Sequence, residues 1–331
     1  YRLGSGPYFV IEGDEYDTAF FDKGSKFLHY RPEVAVNTSI EFDHADIFDD
    51  LEAIKRSFRA FVSLLPAHGL LVANLDDPVV AEIAGQARCP VVGYGRQSGR
   101  DWRIGVIDHH PDHTRFTLYR HDCLFAELTI HQPGLHNCLN ATAVAAVMHH
   151  LGFDRHVIGA GCNAFRGVRR RQEIRGIVDD IIVIDDFAHH PTAVRETLNA
   201  LRQAYADRRL IAVFEPRSNT SRRSLFQHDY ATSFDAADLA IIKEPPILKA
   251  FDHQDRLSAE QLAEDIRRRG HQALACADTD TILTRLQQIL RPGDVVAMLS
   301  NGGFDNIHQR LLDLLARDRD RKSESGGPVT G

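Results

Sequence analysis

"VAVNTSIEFDHADIFDDLEAIKRSFRAFVSLLPAHGLLVAN", Val34 to Asn74, carries the pattern that decides the fold. Val34 to Asn37 read as a short buried strand, rich in β-branched residues. Leu51, Ile54, Phe58, Phe61 and Leu65 then recur at helical spacing, with Asp50 placed to cap the helix. "GLLVANLDDP" follows as a second strand that ends in a turn. Strand, helix, strand in this order means a parallel sheet covered by helices.

The alternation continues outward. Before this unit, "YFVI" (Tyr8 to Ile11) reads as another short buried strand; after it, "PVVAEIAGQA" reads as a helix and "CPVVGYG" as a strand. The texture then changes. "WRIGVID", "TRFTLYR" and "CLFAELTI" are strand-like with turn residues between them, which predicts antiparallel hairpins appended to the sheet. A helix is expected from Leu135 to His150. A second α/β alternation starts near Ile177: "IVDDIIVIDD" is a strand pair or one long strand, "PTAVRETLNALRQAY" is a helix with Pro191 in its first turn, and "RLIAVFEP", "LAIIKEP", "QALACA" and "DVVAMLS" are further strands. The predicted class is therefore α/β. A central, mostly parallel-sheet domain with an antiparallel hairpin subsheet covers 1–174, and a Rossmann-like α/β domain covers 175–318. A tail without core-forming residues, expected to be disordered, covers 319–331.

The chain has 331 residues, 43% hydrophobic and 26% charged, with a formal net charge of −7. That charge argues against a nucleic-acid-binding surface spread over the whole protein. Five scattered cysteines form no CxxC pair, so they read as reduced thiols of a cytoplasmic protein, not as a disulfide framework or zinc site. No stretch has the apolar length of a membrane span. The sequence lacks an initiator Met and reaches "PYFVIE" within a few residues, so it is expected to be a fragment with sequence upstream.

Four polar clusters fall at or just after expected strand ends, where open α/β sheets bind ligands. "EGDEYD", Glu12 to Asp17, could hold Mg²⁺ through a carboxylate, or be an acidic surface turn. Asp43, His44 and Asp46 could form a cation site or cap the following helix. In "GLHNCLNATAVAAV", His136, Asn137 and Asn140 occupy a helix's first turn. Asn137 and Asn140 share one face, where amides can read a donor–acceptor edge such as that of adenine; simple capping accounts for one of them better than for both. "VIDDFAHHPTAV" delivers Asp185 and Asp186, then His189 and His190 at a helix N-terminus that favours anions. A phosphatase-like metal centre and a capped loop are the alternatives there. "GVRRRQE" suits a phosphate ligand or a solvated linker. "FEPRSNTSRR" offers Arg217, Ser218 and Asn219 to a polar substrate with carboxylates. "SNGGF", with Asn301, has glycines that would let backbone approach a ligand. "DHHPDH", Asp108 to His113, falls between hairpin strands and reads as a polar turn. "GYGRQSG" lacks a Walker Lys-Ser/Thr and reads as a strand end and loop.

Taken together, "EGDEYDTAFFDKGSKFLHYRPEVAVNTSIEFDHADIF", "GLHNCLNATAVAA", "GVRRRQE", "DDFAHHPTAV", "FEPRSNT" and "MLSNGGF" resemble a Mur ligase, in motif order and over nearly the whole chain except the tail. The family has a UDP-sugar domain, an ATPase domain and a domain for the incoming amino acid or peptide. The resemblance implies the second of these, truncated at its start, plus the whole third. The family's GTxGKTT phosphate loop is absent and is expected upstream of Tyr1, so the fragment alone is expected to be inactive. "EYDTAFFDK", "HYRP" and "FEPRSNT" favour the family branch that joins UDP-N-acetylmuramate to L-alanyl-γ-D-glutamyl-meso-diaminopimelate in peptidoglycan recycling.

The resemblance implies ATP and Mg²⁺ as cofactors and an acyl-phosphate route. It implies Glu12, with Glu15 as second choice, as ligand to the Mg²⁺ bridging the ATP phosphates, and His44 as ligand to a second Mg²⁺. Asn137 and Asn140 would contact adenine, with His136 nearby, and Arg171 and Asp186 would face the nucleotide. His189 and His190 would lie near the incoming amine. Arg217, Ser218, Asn219 and Asn301 would bind the peptide substrate. Some relatives carry a carbamoylated lysine where this chain has Arg59, so no carbamate is expected. Asp305 stands where another glycine would be expected. The competing readings are the L-alanine-adding branch of the family, a metal-dependent phosphohydrolase built on Asp186, His189 and His190, and a folded two-domain unit without catalysis.

Overall fold

A computed structural model describes residues 3–18, 22, 24–246 and 256–325, with side chains up to 321. The chain divides into two compact units, Tyr1–Trp102 and Arg103–Gly331.

The first unit holds the strand–helix–strand pattern that opened the reading. β1 (Val34–Asn37), β2 (Leu70–Asn74) and β3 (Val91–Gly95) run parallel and in register, Val36 opposite Val72 and Val72 opposite Val92. α1 (Leu51–Ser63) connects the first two, and α2 (Pro78–Ala84) the next two. Asp50 caps α1 as expected, its carboxylate accepting from Ala53 N at 2.7 Å, and Asp77 does the same for α2. The apolar stripe of α1 packs Ile54, Phe61 and Val62 against Leu71, Ala73 and Ile83. Arg59 is engaged with Glu82 at 2.6 Å and Glu52 at 3.5 Å.

One expectation fails in this unit. Tyr8 to Ile11 is not a strand, and its side chains are 50–93% exposed. An apolar β-branched run becomes a buried strand only where a neighbouring edge takes up its backbone groups and a layer covers its faces. Among the described residues no strand pairs with it.

β4 (Trp102–His109), whose first residue closes the first unit, opens the second, followed by β5 (Thr114–Arg120) and β6 (Cys123–Ile130). β5 and β6 form the expected antiparallel hairpin, with a register shift at Leu118/Tyr119. α3 (Leu135–His150) and α4 (Arg155–Ala164) follow. The second sheet is built from β7 (Glu173–Val178), β8 (Ile181–Asp186), β9 (Leu210–Phe214), β10 (Leu239–Lys243), β11 (Gln272–Cys276) and β12 (Val295–Leu299), in spatial order β11-β10-β9-β12-β8-β7. All are parallel except β7, which runs antiparallel to β8. α5 (Pro191–Ala204), α6 (Gln227–Ser233), α7 (Ala259–Arg268), α8 (Thr279–Ile289) and α9 (Ile307–Ser325) cover it. Strands β8, β9 and β12 are buried along their whole length, which explains their continuous apolar sequence.

"IVDDIIVIDD" resolves into a hairpin. Asp179 and Asp180 form its two-residue turn with φ of 50° and 57°, the left-handed pair such a turn requires. The tail departs from expectation: α9 continues to Ser325, through the first half of 319–331, and 326–331 lie outside the described residues. The five cysteines are free, all buried except Cys123.

Candidate functional site

The first unit brings two of the acidic clusters together. The turn at Asp14 is tied down by Lys26, whose Nζ lies 2.8 Å from Asp14 Oδ2, and by Phe27 N donating to Asp14 O at 3.1 Å. From this turn Glu15 reaches His44, Oε1 to Nε2 at 2.7 Å, and Tyr16 donates its hydroxyl to Asp46 Oδ2 at 2.7 Å. The Tyr16 ring meets the His44 ring edge-on at 4.5 Å. His44 has a left-handed φ of 54°, and its turn is closed by Asp43 Oδ1 accepting from His44 N and by Ile47 and Phe48 N–H groups donating to His44 O. Burial works against a charge on His44, but the Glu15 hydrogen bond and the Asp43 and Asp46 carboxylates prevail and hold its pKa above the usual imidazole value. Glu12 is exposed, so Glu15 is the carboxylate of that cluster that meets His44. Tyr16 was not singled out by sequence; a Tyr among acids has no signature until its partner is known.

Among the described residues, no three His, Cys, Asp or Glu side chains gather as a metal cage. Mg²⁺ rarely needs one, since it takes one or two carboxylates and completes its shell with water and phosphate oxygens. Glu15 supplies one carboxylate of that kind, while His44 Nε2, bonded to Glu15 and held above its usual pKa, would have to give up that bond and its proton to join it.

In the second unit, α3 starts at Gly134 with φ of 101°, where an added Cβ would come 2.5 Å from Ala200 Cβ on α5. Only glycine allows that close approach. On the first turn, Asn137 Nδ2 reaches Pro133 O at 2.8 Å, His136 Nε2 at 3.0 Å and Gln172 Oε1 at 3.3 Å. Gln172 also donates its backbone N–H to Asp186 Oδ2 at 2.8 Å. Gln172 thus links the α3 cluster to the end of β8; in the sequence it was overshadowed by the arginines before it. Asn140 is exposed, one turn along. Asp186 is buried, and its other oxygen accepts from Ala188 N at 2.7 Å and Thr197 Oγ1 at 3.4 Å. Burial raises its pKa against these bonds. The Arg171 guanidinium lies 5.3 Å from the centre of the Phe187 ring. Desolvation, with the Arg171 charge second, pushes His136 down to about 4, so its imidazole is neutral at pH 7.

The paired histidines differ. His189 directs Nδ1 to Phe187 O at 3.1 Å. His190 is the N-cap of α5, its Nδ1 accepting from Thr192 N at 3.4 Å. At the carboxyl ends of β9 and β12, Arg217 lies across Gly302, so closely that an added Cβ would collide with its Cδ and Nε. Ser218 is occupied within its own turn, bonded to Ser221 Oγ at 2.8 Å and Ser221 N at 2.9 Å. Arg217 and Asn219 are exposed, and Asn301 Oδ1 is shielded with no hydrogen-bond partner among the described residues.

The chain matches the Mur ligase middle domain over residues 5–148 and the Mur ligase glutamate ligase domain over residues 136–302. The chain belongs to the Mur ligase family. A UDP-N-acetylmuramate–L-alanyl-γ-D-glutamyl-meso-2,6-diaminoheptandioate ligase of Haemophilus influenzae is 36% identical over 319 residues, 95% of this chain and 67% of its own length. A UDP-N-acetylmuramate–L-alanine ligase of Salinibacter ruber is 37% identical, over 95% of this chain and 65% of its own. A crystal structure of a murein peptide ligase from Psychrobacter arcticus superposes with a TM-score of 0.65 at 34% identity, covering 93% of this chain and 62% of that one. The chain thus spans about two thirds of the length of the Mur ligases it matches. The α/β class follows from the family and the two sheets alike. No helix among the described residues is long and apolar enough to cross a membrane.

Proposed function

We propose that this chain is the nucleotide- and peptide-binding part of a cytoplasmic, ATP-dependent ligase. It joins the lactyl carboxylate of UDP-N-acetylmuramate to the amine of L-Ala-γ-D-Glu-meso-diaminopimelate in peptidoglycan recycling. Residues 1–174 would serve the nucleotide and 175–318 the peptide. Phosphoryl transfer from ATP to the carboxylate gives an acyl phosphate and ADP. The amine nitrogen then attacks the acyl carbon, and the tetrahedral intermediate releases phosphate to leave the amide.

Bound Mg²⁺ would offset the charge between two anionic reactants. Glu15 would hold it, joined by His44 once its Nε2 gives up its proton and its bond to Glu15, with Glu12 the more exposed alternative. His136, Asn137 and Asn140 would meet the adenine. Arg171 and Asp186 would stand at the nucleotide, Asp186 through the backbone it orders. His189 is the better suited of the two histidines to serve the amine, since its Nδ1 donates to a carbonyl and so leaves the ring's lone pair on Nε2, whereas His190 Nδ1 accepts at the helix cap and so carries the neutral ring's proton on Nε2. Ser218, Asn219 and Asn301 would complete the peptide site around Arg217.

The observation that carries the peptide reading is Arg217 laid over Gly302 at the strand ends. It presents a planar guanidinium, suited to bidentate recognition of a carboxylate. The Haemophilus and Psychrobacter relatives carry the corresponding names. The Salinibacter relative supports the second reading, an L-alanine ligase.

The test is ADP release by the product of the complete gene, supplied with UDP-N-acetylmuramate and either tripeptide or L-alanine. Tripeptide-dependent release is expected. Preference for L-alanine would establish the second reading. Full-rate phosphate release without any amine would point to a phosphohydrolase.

A further inference from the structure

Three adjacent strands of the second sheet end around a single lysine. Lys243 closes β10, and its Nζ donates to Glu215 Oε1, just past β9, at 2.9 Å and to Asp305 Oδ2, beyond β12, at 2.8 Å. Glu215 is buried, and its Oε2 accepts from Ser300 Oγ at 2.6 Å. Ser300 Oγ in turn accepts from Gly302 N at 3.0 Å, and Thr279 Oγ1 at the start of α8 donates to Asp305 Oδ2 at 2.6 Å. One ammonium group therefore holds the loop from Ser300 to Asn306 directly at Asp305 and, through Glu215, at Ser300, where Arg170 Nη2 also donates to the Ser300 and Gly302 carbonyls. The loop's first half contains Gly302, the surface on which Arg217 lies.

This loop needs holding. Phe304, Asp305 and Asn306 have φ of 45°, 49° and 56°, three successive side-chain-bearing residues in the left-handed region. Such a backbone persists only where its surroundings over-determine it. A glycine at 305 would take that conformation freely; an aspartate takes it and also gains Lys243 and Thr279.

We propose that Lys243 and Asp305 are positioning residues, whose ion pair holds the 300–306 loop in the shape that seats Arg217 and so sets affinity for the carboxylate-bearing amine substrate. The inference rests on the reading of Arg217 as a carboxylate ligand. The electrostatics agree. The Lys243 and Thr279 hydrogen bonds hold Asp305 below the usual carboxylate range, and Lys243 is raised, burial notwithstanding, by Asp305 and Glu215.

Asp305→Gly is the decisive variant, because it relieves the left-handed backbone while removing the anchor. Asp305→Asn tolerates the same φ and keeps an acceptor for Lys243 and Thr279. Amide hydrogen exchange on the chain itself should show residues 302–306 exchanging about tenfold faster in Asp305→Gly and in Lys243→Met, but close to wild type in Asp305→Asn. Unchanged exchange in Asp305→Gly and Lys243→Met overturns the proposal without reference to any substrate.

In the product of the complete gene, Asp305→Gly should raise KM for the tripeptide about tenfold with kcat within about twofold, and Asp305→Asn should restore most of the loss. An unchanged KM beside a raised KM in Arg217→Ala overturns the proposal. An unchanged KM in Arg217→Ala instead overturns the carboxylate reading, and the exchange experiment then decides the loop by itself.

Discussion

His44 and Glu15 meet at 2.7 Å although 29 residues separate them, and the bond joins two acidic turns of the first unit into one structure. His44→Ala in the full-length ligase should lower turnover on the order of a hundredfold while leaving ATP affinity within about threefold, the signature of a group that matters as charge develops. Steady-state kinetics beside nucleotide titration checks this. Unchanged turnover would remove His44 from cation binding.

Asp186 carries a different kind of load. Two backbone N–H groups, from Gln172 and Ala188, have it as acceptor. Asp186→Ala strands both and should cost about 2–3 kcal/mol of stability, whereas Asp186→Asn, which keeps one acceptor oxygen, should cost less. Urea denaturation of the chain separates the two outcomes. Equal and small losses would mean that water replaces the carboxylate.

His136 gives a pH dependence with a definite sign. Its pKa lies near 4 in the folded chain against 6.5 as the ordinary value. Between these the unfolded chain binds the extra proton, so stability rises with pH through this window. The contribution is fully present above about pH 6.5 and is lost progressively as pH falls toward 4, about 3 kcal/mol in all. His136→Asn should flatten this limb. An NMR titration placing His136 near 6.5 would dismiss the effect.

Gly302→Ala should act on function without acting on stability. The added methyl must displace Arg217, but that side chain is exposed and can swing into water. Tripeptide affinity is expected to fall about tenfold while stability stays within about 0.5 kcal/mol. A stability loss with unchanged affinity would show that Arg217 matters to the loop rather than to the ligand.

Local signals explain which parts were legible in the sequence. Helical spacing with Asp50 at its head placed α1, and the continuous apolar runs placed β8, β9 and β12. Tyr8 to Ile11 misled because the same composition describes a buried strand and an exposed apolar segment; pairing decides, and pairing is not local. Clusters contiguous in sequence, such as Asp43 to Asp46, were visible as candidates. Pairings built across the fold were not. Lys243 lies 28 residues from Glu215 and 62 from Asp305, and each side chain by itself is an ordinary charge. Gln172 acquires its importance only from the ends of α3 and β8 between which it is strung.

The reversed direction of β7 has a topological consequence. In a wholly parallel sheet each strand enters at one end and delivers its functional side chains at the other, so the segment leading into a strand is remote from the ligand side. β7 inverts this: Glu173, its first residue, stands opposite Asp185, near the last of β8. The chain therefore arrives at the sheet on the side where its neighbours depart. Arg170, Arg171 and Gln172, a connecting segment by position, become part of the working rim, and any change in how the chain approaches the sheet is transmitted directly to Asp186.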